Sequence, residues 1–193
     1  MEFETTKIDG VFLIKPRRFE DDRGFFTETF RENVFLETTG TQEKFVQENF
    51  SFSKHKGTVR GLHYQSPPFA QGKIVKCTQG EIVDVAVDVR PGSPTYGQHV
   101  RAVLSAENGH QLWVPTCFLH GFATLTDNCS VAYKVTNYYA KECDGNVRWN
   151  DPKLAIDWGI DNAKAHLSDK DKVAPLLEDW KNPFYTHIQP LTG

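Results

Sequence analysis

The stretch "VRGLHYQ" holds a histidine, His63, with a glutamine two residues on, Gln65. A His-x-His at this spacing would be half of a metal site, and here the second imidazole is missing. A neutral imidazole is also suited to taking a proton near pH 7. On a strand, Gln65 shares the face of His63, while Leu62 and Tyr64 take the other. Strict alternation sets Arg60 opposite His63, and a bulge at Gly61 would bring both to one pocket. A second histidine, His120, stands in "WVPTCFLHGFATL" with Phe122 and Thr124 on its face. Two inward histidines in a small β-barrel would define an enclosed site. Parity also places Asp84, on the polar face of its own strand, where it could orient His120.

Strands must position these groups, and period-two alternation dominates the middle of the chain. Val83, Val85, Val87 and Val89 share one face, with Asp84, Ala86 and Asp88 on the other. "KIVKCT" precedes this strand through Gln79-Gly80, which predicts a hairpin. "HVRAVLS", "HQLWVP", "HGFATL" and "SVAYKVTNYY" are further short strands between the turn clusters "RPGSPTYG", "SAENG" and "TDNC". "RENVFLETTG" predicts one short helix, and "LSDKDKVAPLLEDW" begins a helical C-terminal tail. Its Ser168 and Asp171 resemble a capping box with Asp in place of Glu or Gln. The expected fold is mainly β, a sandwich or barrel with short peripheral helices. It forms a single domain over 1–193, with an N-terminal arm to about 45, a barrel over about 46–150 and a tail over about 151–193.

Composition narrows the function classes. A length of 193 residues suits one domain with a sizeable core. Apolar residues at 39% and charged residues at 24% exclude a disordered chain. A formal charge of −3 argues against nucleic acid and membrane surfaces as partners, so any anionic ligand must meet local positive charge. No signal peptide is read in "MEFETTKIDG". The four cysteines show no Cys-x-x-Cys spacing, which argues against structural zinc and a disulfide framework and for a reducing cytoplasm.

The metal-binding cupin pattern is G-x5-H-x-H-x3,4-E-x6-G followed by a second motif with a further His. The chain resembles it in outline, with His63 at the first His and "PTCFLH" at the second motif. Gln65 replaces the second His and no Glu follows, so two imidazoles do not complete a catalytic metal site. A closer resemblance is carried by "DDRGFFTETF", "VQENFSFSKHKGTVRGLHYQ", "AQGKIVKCTQGEIVDVAVDVRPGSPTYGQ", "LWVPTCFLHGF", "YKVTNYY" and "LSDKD". These segments, in this order, resemble the dTDP-4-dehydrorhamnose 3,5-epimerase family from about Phe12 to about Asp171.

The resemblance implies a metal-free, cofactor-independent enzyme built on a cupin-type jelly-roll β-barrel, usually a homodimer. Its substrate would be a dTDP-4-keto-6-deoxyhexose, inverted at C3 and C5. A related enzyme that inverts only one of these carbons is the alternative. Both carbons flank the C4 ketone, so each proton is acidified by delocalisation onto that oxygen. Epimerisation then needs a base on one face, a cation at the enolate oxygen and an acid on the other face. By resemblance, His63 is the base, Asp171 the carboxylate that orients it, Lys73 the group facing O4, and Tyr133 the acid. Arg23 and Arg60 would meet the diphosphate, where guanidinium contacts suit phosphate oxygens. Glu28, Gln47, Asn49, His120 and Lys170 match nucleotide- and sugar-contacting positions, and Tyr139 matches an aromatic that stacks on thymine. Asp144 stands where the family often has Glu, one methylene longer. The residues alone leave plainer roles open: Lys73 as a solvated strand lysine, Tyr133 as a core tyrosine, and Asp171 as a helix cap with Ser168.

Overall fold

The computed structural model describes residues 1–187. Thirteen strands and two short α-helices follow one another in this order. They are β1 (Glu2–Thr5), β2 (Phe12–Lys15), β3 (Arg18–Asp21), β4 (Gly24–Thr27), α1 (Glu32–Thr39), β5 (Gln47–Ser53), β6 (Val59–Gln65) and β7 (Lys73–Gln79). Then come β8 (Glu81–Asp88), β9 (His99–Ser105), β10 (Gln111–Val114), β11 (Phe118–Thr124), β12 (Cys129–Val135), β13 (Asp144–Asn146) and α2 (Asp169–Lys172).

The strands form a six-stranded sheet in the order β1-β2-β10-β7-β12-β5 and a five-stranded sheet in the order β13-β6-β11-β8-β9. All of the pairings are antiparallel. β3 and β4 stand apart as a two-stranded hairpin. The mainly β expectation holds, but no closed barrel forms among the described residues, because each sheet keeps two edge strands. The expected arm also supplies β1 and β2 to the larger sheet.

The expected hairpin across Gln79-Gly80 is not formed. β7 lies in the larger sheet and β8 in the smaller one, so the chain changes sheets there. Gly80 takes φ +76, and a Cβ on it would lie 2.6 Å from Thr126 Oγ1. A tight turn and a sheet change call for the same residue types, which is why the sequence pattern could not separate them.

Two apolar layers result. Val75, Cys77, Ile82, Ala86, Leu104, Leu112, Phe122 and Val131 pack between the two sheets. The valine face of β8 turns the other way, where Trp149, Leu154, Trp158 and Phe184 of the C-terminal segment cover it. Burial of each Val, Leu, Ile or Phe side chain here contributes on the order of 1.5–3 kcal/mol.

The expected helical tail is corrected to an irregular strap. Past β13 the described residues hold only the four-residue α2 and short 3-10 turns. Pro175 explains the early stop: it has no N–H to give Asp171 O, and it disfavours helical backbone at Ala174. Arg148 then holds the strap, its N–H donating to Pro175 O at 2.8 Å and its Nε to Ala174 O at 3.1 Å. Buried Asp151 pins the strap by accepting from Lys153 N at 2.8 Å and Leu177 N at 2.7 Å.

Most important for the site is the pairing of β6 with β11. His63 faces His120, and Arg60 faces Phe122, with a register shift between. Three steps along β6 thus match two along β11, so β6 carries one extra residue there. The extra residue reverses the alternation and puts Arg60 on the face of His63. Gly61 permits it with φ +137, where an added Cβ would lie 2.6 Å from Gly121 Cα. Gly61→Ala should therefore cost about 2–4 kcal/mol. Urea denaturation should show a lower midpoint at unchanged slope, and a wild-type midpoint would contradict the bulge.

Candidate active site

The bulge and the pairing of His63 with His120 aim both imidazoles between the sheets. There a cavity of about 440 Å³ is lined by Arg60, His63, Lys73, His120, Tyr133 and Asp171, with Ser51, Thr58, Phe122, His166 and Ser168 among the remaining walls. A second cavity of about 250 Å³ shares His63, Lys73 and Tyr133 with it. Gln47, Asn49, Gln65, Gln71, Tyr139, Asp144 and Lys170 help to line this second lobe. His63 comes from the smaller sheet, while Lys73 and Tyr133 come from the larger one.

His63 Nε2 lies 2.6 Å from Asp171 Oδ1. Burial pushes the Asp171 carboxyl up, but the hydrogen bond and charge of His63, with bonds from Ser168 and Asn146, outweigh burial and hold it below its ordinary value. An ionised carboxylate can only accept, so His63 donates Nε2–H to it, and the neutral imidazole carries its lone pair on Nδ1. Asp171 is buried, and its second oxygen accepts from Ser168 Oγ at 2.9 Å. Ser168 Oγ in turn accepts from Asp171 N at 3.2 Å. Capping and orienting therefore coexist, because Ser168 Oγ makes the cap and the carboxylate keeps one oxygen for His63 and one for the Ser168 hydroxyl. Ser168 was legible as a cap but not as a support for the His63 dyad.

His120 Nε2 lies 2.9 Å from Asp84 Oδ1, as strand parity suggested. The other oxygen of Asp84 is buried without a hydrogen-bond partner among the described residues. Desolvation pushes Lys73 down to about 8, assisted by Lys170 and opposed by the negative charges of Asp84 and Asp144. Lys73 is thus mostly cationic at pH 7, and partial desolvation strengthens its field. Burial pushes the Tyr133 phenol above its ordinary value, against a smaller opposite effect of Arg60. Its hydroxyl consequently stays protonated through neutral pH.

Other expected residues are placed less simply. Arg60 reaches across to β5, donating to Ser53 Oγ at 3.2 Å and Phe52 O at 3.0 Å. Gln47 donates to Asn49 Oδ1 at 2.8 Å and accepts from Tyr139 N at 3.1 Å. Lys170 and Asp144 form an ion pair beside the second lobe. Arg23 and Glu28 line neither cavity. Arg23, on the β3–β4 hairpin, pairs with Asp21, and Glu28, just past it, pairs with Arg31. Gln71 was missed, although it stands two residues before Lys73 and parity could have found it. His166 lies in an irregular segment bridged to Thr58, with no periodic signal to reveal it. Among the described residues, no group of three or more His, Cys, Asp or Glu is arranged to hold a metal ion.

An oriented imidazole, a cationic lysine and a protonated phenol around one cavity define a site equipped for proton transfer next to a developing oxyanion. Comparison with known proteins makes the class particular. The model for dTDP-4-dehydrorhamnose 3,5-epimerase matches residues 5–179. A dTDP-4-dehydrorhamnose 3,5-epimerase of Sinorhizobium fredii is 51% identical over 177 residues, 92% of this chain and 90% of the relative. The crystal structure of the Legionella pneumophila dTDP-6-deoxy-D-glucose-3,5-epimerase in complex with dTDP-4-keto-L-rhamnose is similar at TM-score 0.87 and 46% identity. It covers 92% of this chain and 93% of that one. The dTDP-4-dehydrorhamnose 3,5-epimerase of Elizabethkingia anophelis is similar at TM-score 0.90 and 44% identity, covering 94% and 98%. The chain belongs to the dTDP-4-dehydrorhamnose 3,5-epimerase family and is an isomerase.

The lysine is open to direct test. NMR of the Lys73 side chain should show a titration midpoint near 8, well below ordinary lysines. Asp84→Asn removes a charge that favours the ammonium, so it should move the midpoint lower still. A midpoint above about 10 would contradict the described burial.

Proposed function

We propose that this isomerase inverts C3 and C5 of dTDP-4-dehydro-6-deoxy-D-glucose, giving dTDP-4-dehydro-L-rhamnose, with His63 as base and Tyr133 as acid. The observation that carries the reading is that His63 and Tyr133 stand on opposite sheets around one cavity. A flat enolate held between them exposes one face to each. His63 Nδ1 takes the proton from C3 or C5, and the C–H electron pair moves into the enolate. Lys73 stabilises the charge on O4, a contribution worth about 10²–10³ in rate for a single such donor. The Tyr133 O–H bond then breaks as a new C–H bond forms on the opposite face. Passage of the His63 proton to the phenolate through solvent resets the pair. No oxidation state changes, so the proton balance closes within these side chains and water.

The substrate's other end occupies the second lobe in this reading. Tyr139 is 58% exposed there and offers a ring for the base. Gln47, Asn49, Asp144 and Lys170 contact the nucleotide or sugar, His120 contacts the sugar, and Arg60 contacts the diphosphate. The two antiparallel sheets and the site between them support a single cupin-type jelly-roll domain. The four cysteines are free, which supports a reducing, cytoplasmic setting. No described helix is long and apolar enough to cross a membrane.

The protein acts as a homodimer in this account. The β3–β4 hairpin exposes Phe19, Phe25 and Phe26, and edge strand β5 exposes Phe50 and Phe52. Such apolar surface is what a second copy covers. The same arm would carry Arg23 and Glu28 toward a partner's cavity, the arrangement that lets them meet substrate. Sedimentation velocity should give twice 22.0 kDa for the wild type. Phe26→Asp should shift it toward monomer, and a wild-type monomer would contradict the dimer.

Deuterium wash-in tests the chemistry. In D₂O the wild type should place one solvent deuteron at C3 and one at C5. His63→Ala should slow both by about 10²–10⁴-fold. Normal exchange in His63→Ala would remove the base assignment, and exchange at one carbon alone would identify a single-carbon epimerase.

A further inference from the structure

Gln65 stands where a metal-binding pattern would have its second histidine, and the chemistry above gives it no role. It is 5% exposed, yet its amide is fully engaged. Nε2 donates to Phe69 O at 2.6 Å and to Tyr138 O at 3.1 Å. Oε1 accepts from Ala140 N at 2.8 Å. Tyr138 and Ala140 flank Tyr139 in the segment between β12 and β13. Among the described residues no strand pairs with this segment, and from Asn137 O to Ala140 N its hydrogen bonds run to side chains. Gln71 Nε2 donates to Asn137 O at 2.8 Å, and Gln47 Oε1 accepts from Tyr139 N at 3.1 Å.

The Tyr139 ring is more than half exposed, so its own burial does little to fix its direction. Order in that ring must come from the backbone beneath it. Gln65 holds that backbone on both sides of Tyr139 from within the buried strand β6. A ring held in place before the ligand arrives loses less freedom on binding. We infer that Gln65 is a positioning residue for nucleotide affinity, its amide fixing the loop that presents Tyr139 to the base. Gln65 acts in this way only if Tyr139 stacks on the base as proposed.

Gln65→Met keeps the length and removes the amide, leaving Tyr138 O and Ala140 N without these partners. Calorimetric titration with dTDP should show binding about tenfold weaker. KM for the nucleotide sugar should rise similarly, while kcat changes less than about threefold. The double variant Gln65→Met/Tyr139→Ala should bind dTDP no worse than Tyr139→Ala alone, because the glutamine works through the ring. Wild-type dTDP affinity in Gln65→Met, or losses that multiply in the double variant, would overturn the role of Gln65 and leave the stacking of Tyr139 intact. Wild-type affinity in Tyr139→Ala would overturn the stacking itself, and Gln65's role with it. If Gln65→Met does not fold, Gln65→Asn keeps an amide one methylene too short to reach both carbonyls, and the same outcomes decide.

Discussion

Between Arg60 and His63 the backbone of β6 makes one step more than β11 makes over the same distance, and the site depends on that step. Without it, alternation would send the arginine and the histidine to opposite faces of the sheet. Two glycines let the strands approach at that point: a Cβ on Gly61 would lie 2.6 Å from Gly121 Cα, and a Cβ on Gly121 would lie 2.9 Å from Arg60 O. His120 stands directly across from His63 because the register resumes after the bulge. The cavity is therefore furnished from the smaller sheet by a local backbone irregularity, and from the larger sheet by ordinary alternation through Lys73 and Tyr133.

The C-terminal strap completes what the bulge begins. It covers the valine face of β8 with aromatic side chains and at the same time delivers Asp171 to His63. Ser168 bonds the carboxylate oxygen that His63 does not use. The imidazole is thus oriented by a buried group whose own two oxygens are both engaged. Core packing and the support of His63 share one segment, so damage to the strap's packing residues reaches His63 through Asp171.

The strands were legible because β8 writes itself as period-two alternation of Val with Asp and Ala, and turn clusters set off the short apolar runs of β9 to β12. Asp84 beside His120 followed from the same parity. The sheet change at Gly80 was not legible, since a glycine turn serves a hairpin and a crossover equally well. The tail was misread because a capping pattern at Ser168 starts a helix but says nothing of how far it runs. Pro175, seven residues past Ser168, stops it, having no N–H for Asp171 O and disfavouring helical backbone at Ala174. Arg23 and Glu28 show the other limit. Residue type and motif matched a binding role, yet their place on and beside a projecting hairpin emerges only from the fold. Gln65 was first legible as a missing metal ligand, and its hydrogen bonds give it a different office, under the loop of Tyr139.

The central claim is that base and acid act from opposite sheets on opposite faces of one enolate. Tyr133→Phe separates them, because it leaves His63 and Lys73 in place and removes only the proton donor. Incubated with the 4-keto nucleotide sugar in D₂O and followed by NMR, this variant should still exchange a carbon-bound proton for solvent deuterium. The deuteron should return from the His63 side with the configuration retained, and little inverted product should form. Inverted product at the wild-type rate would contradict the account.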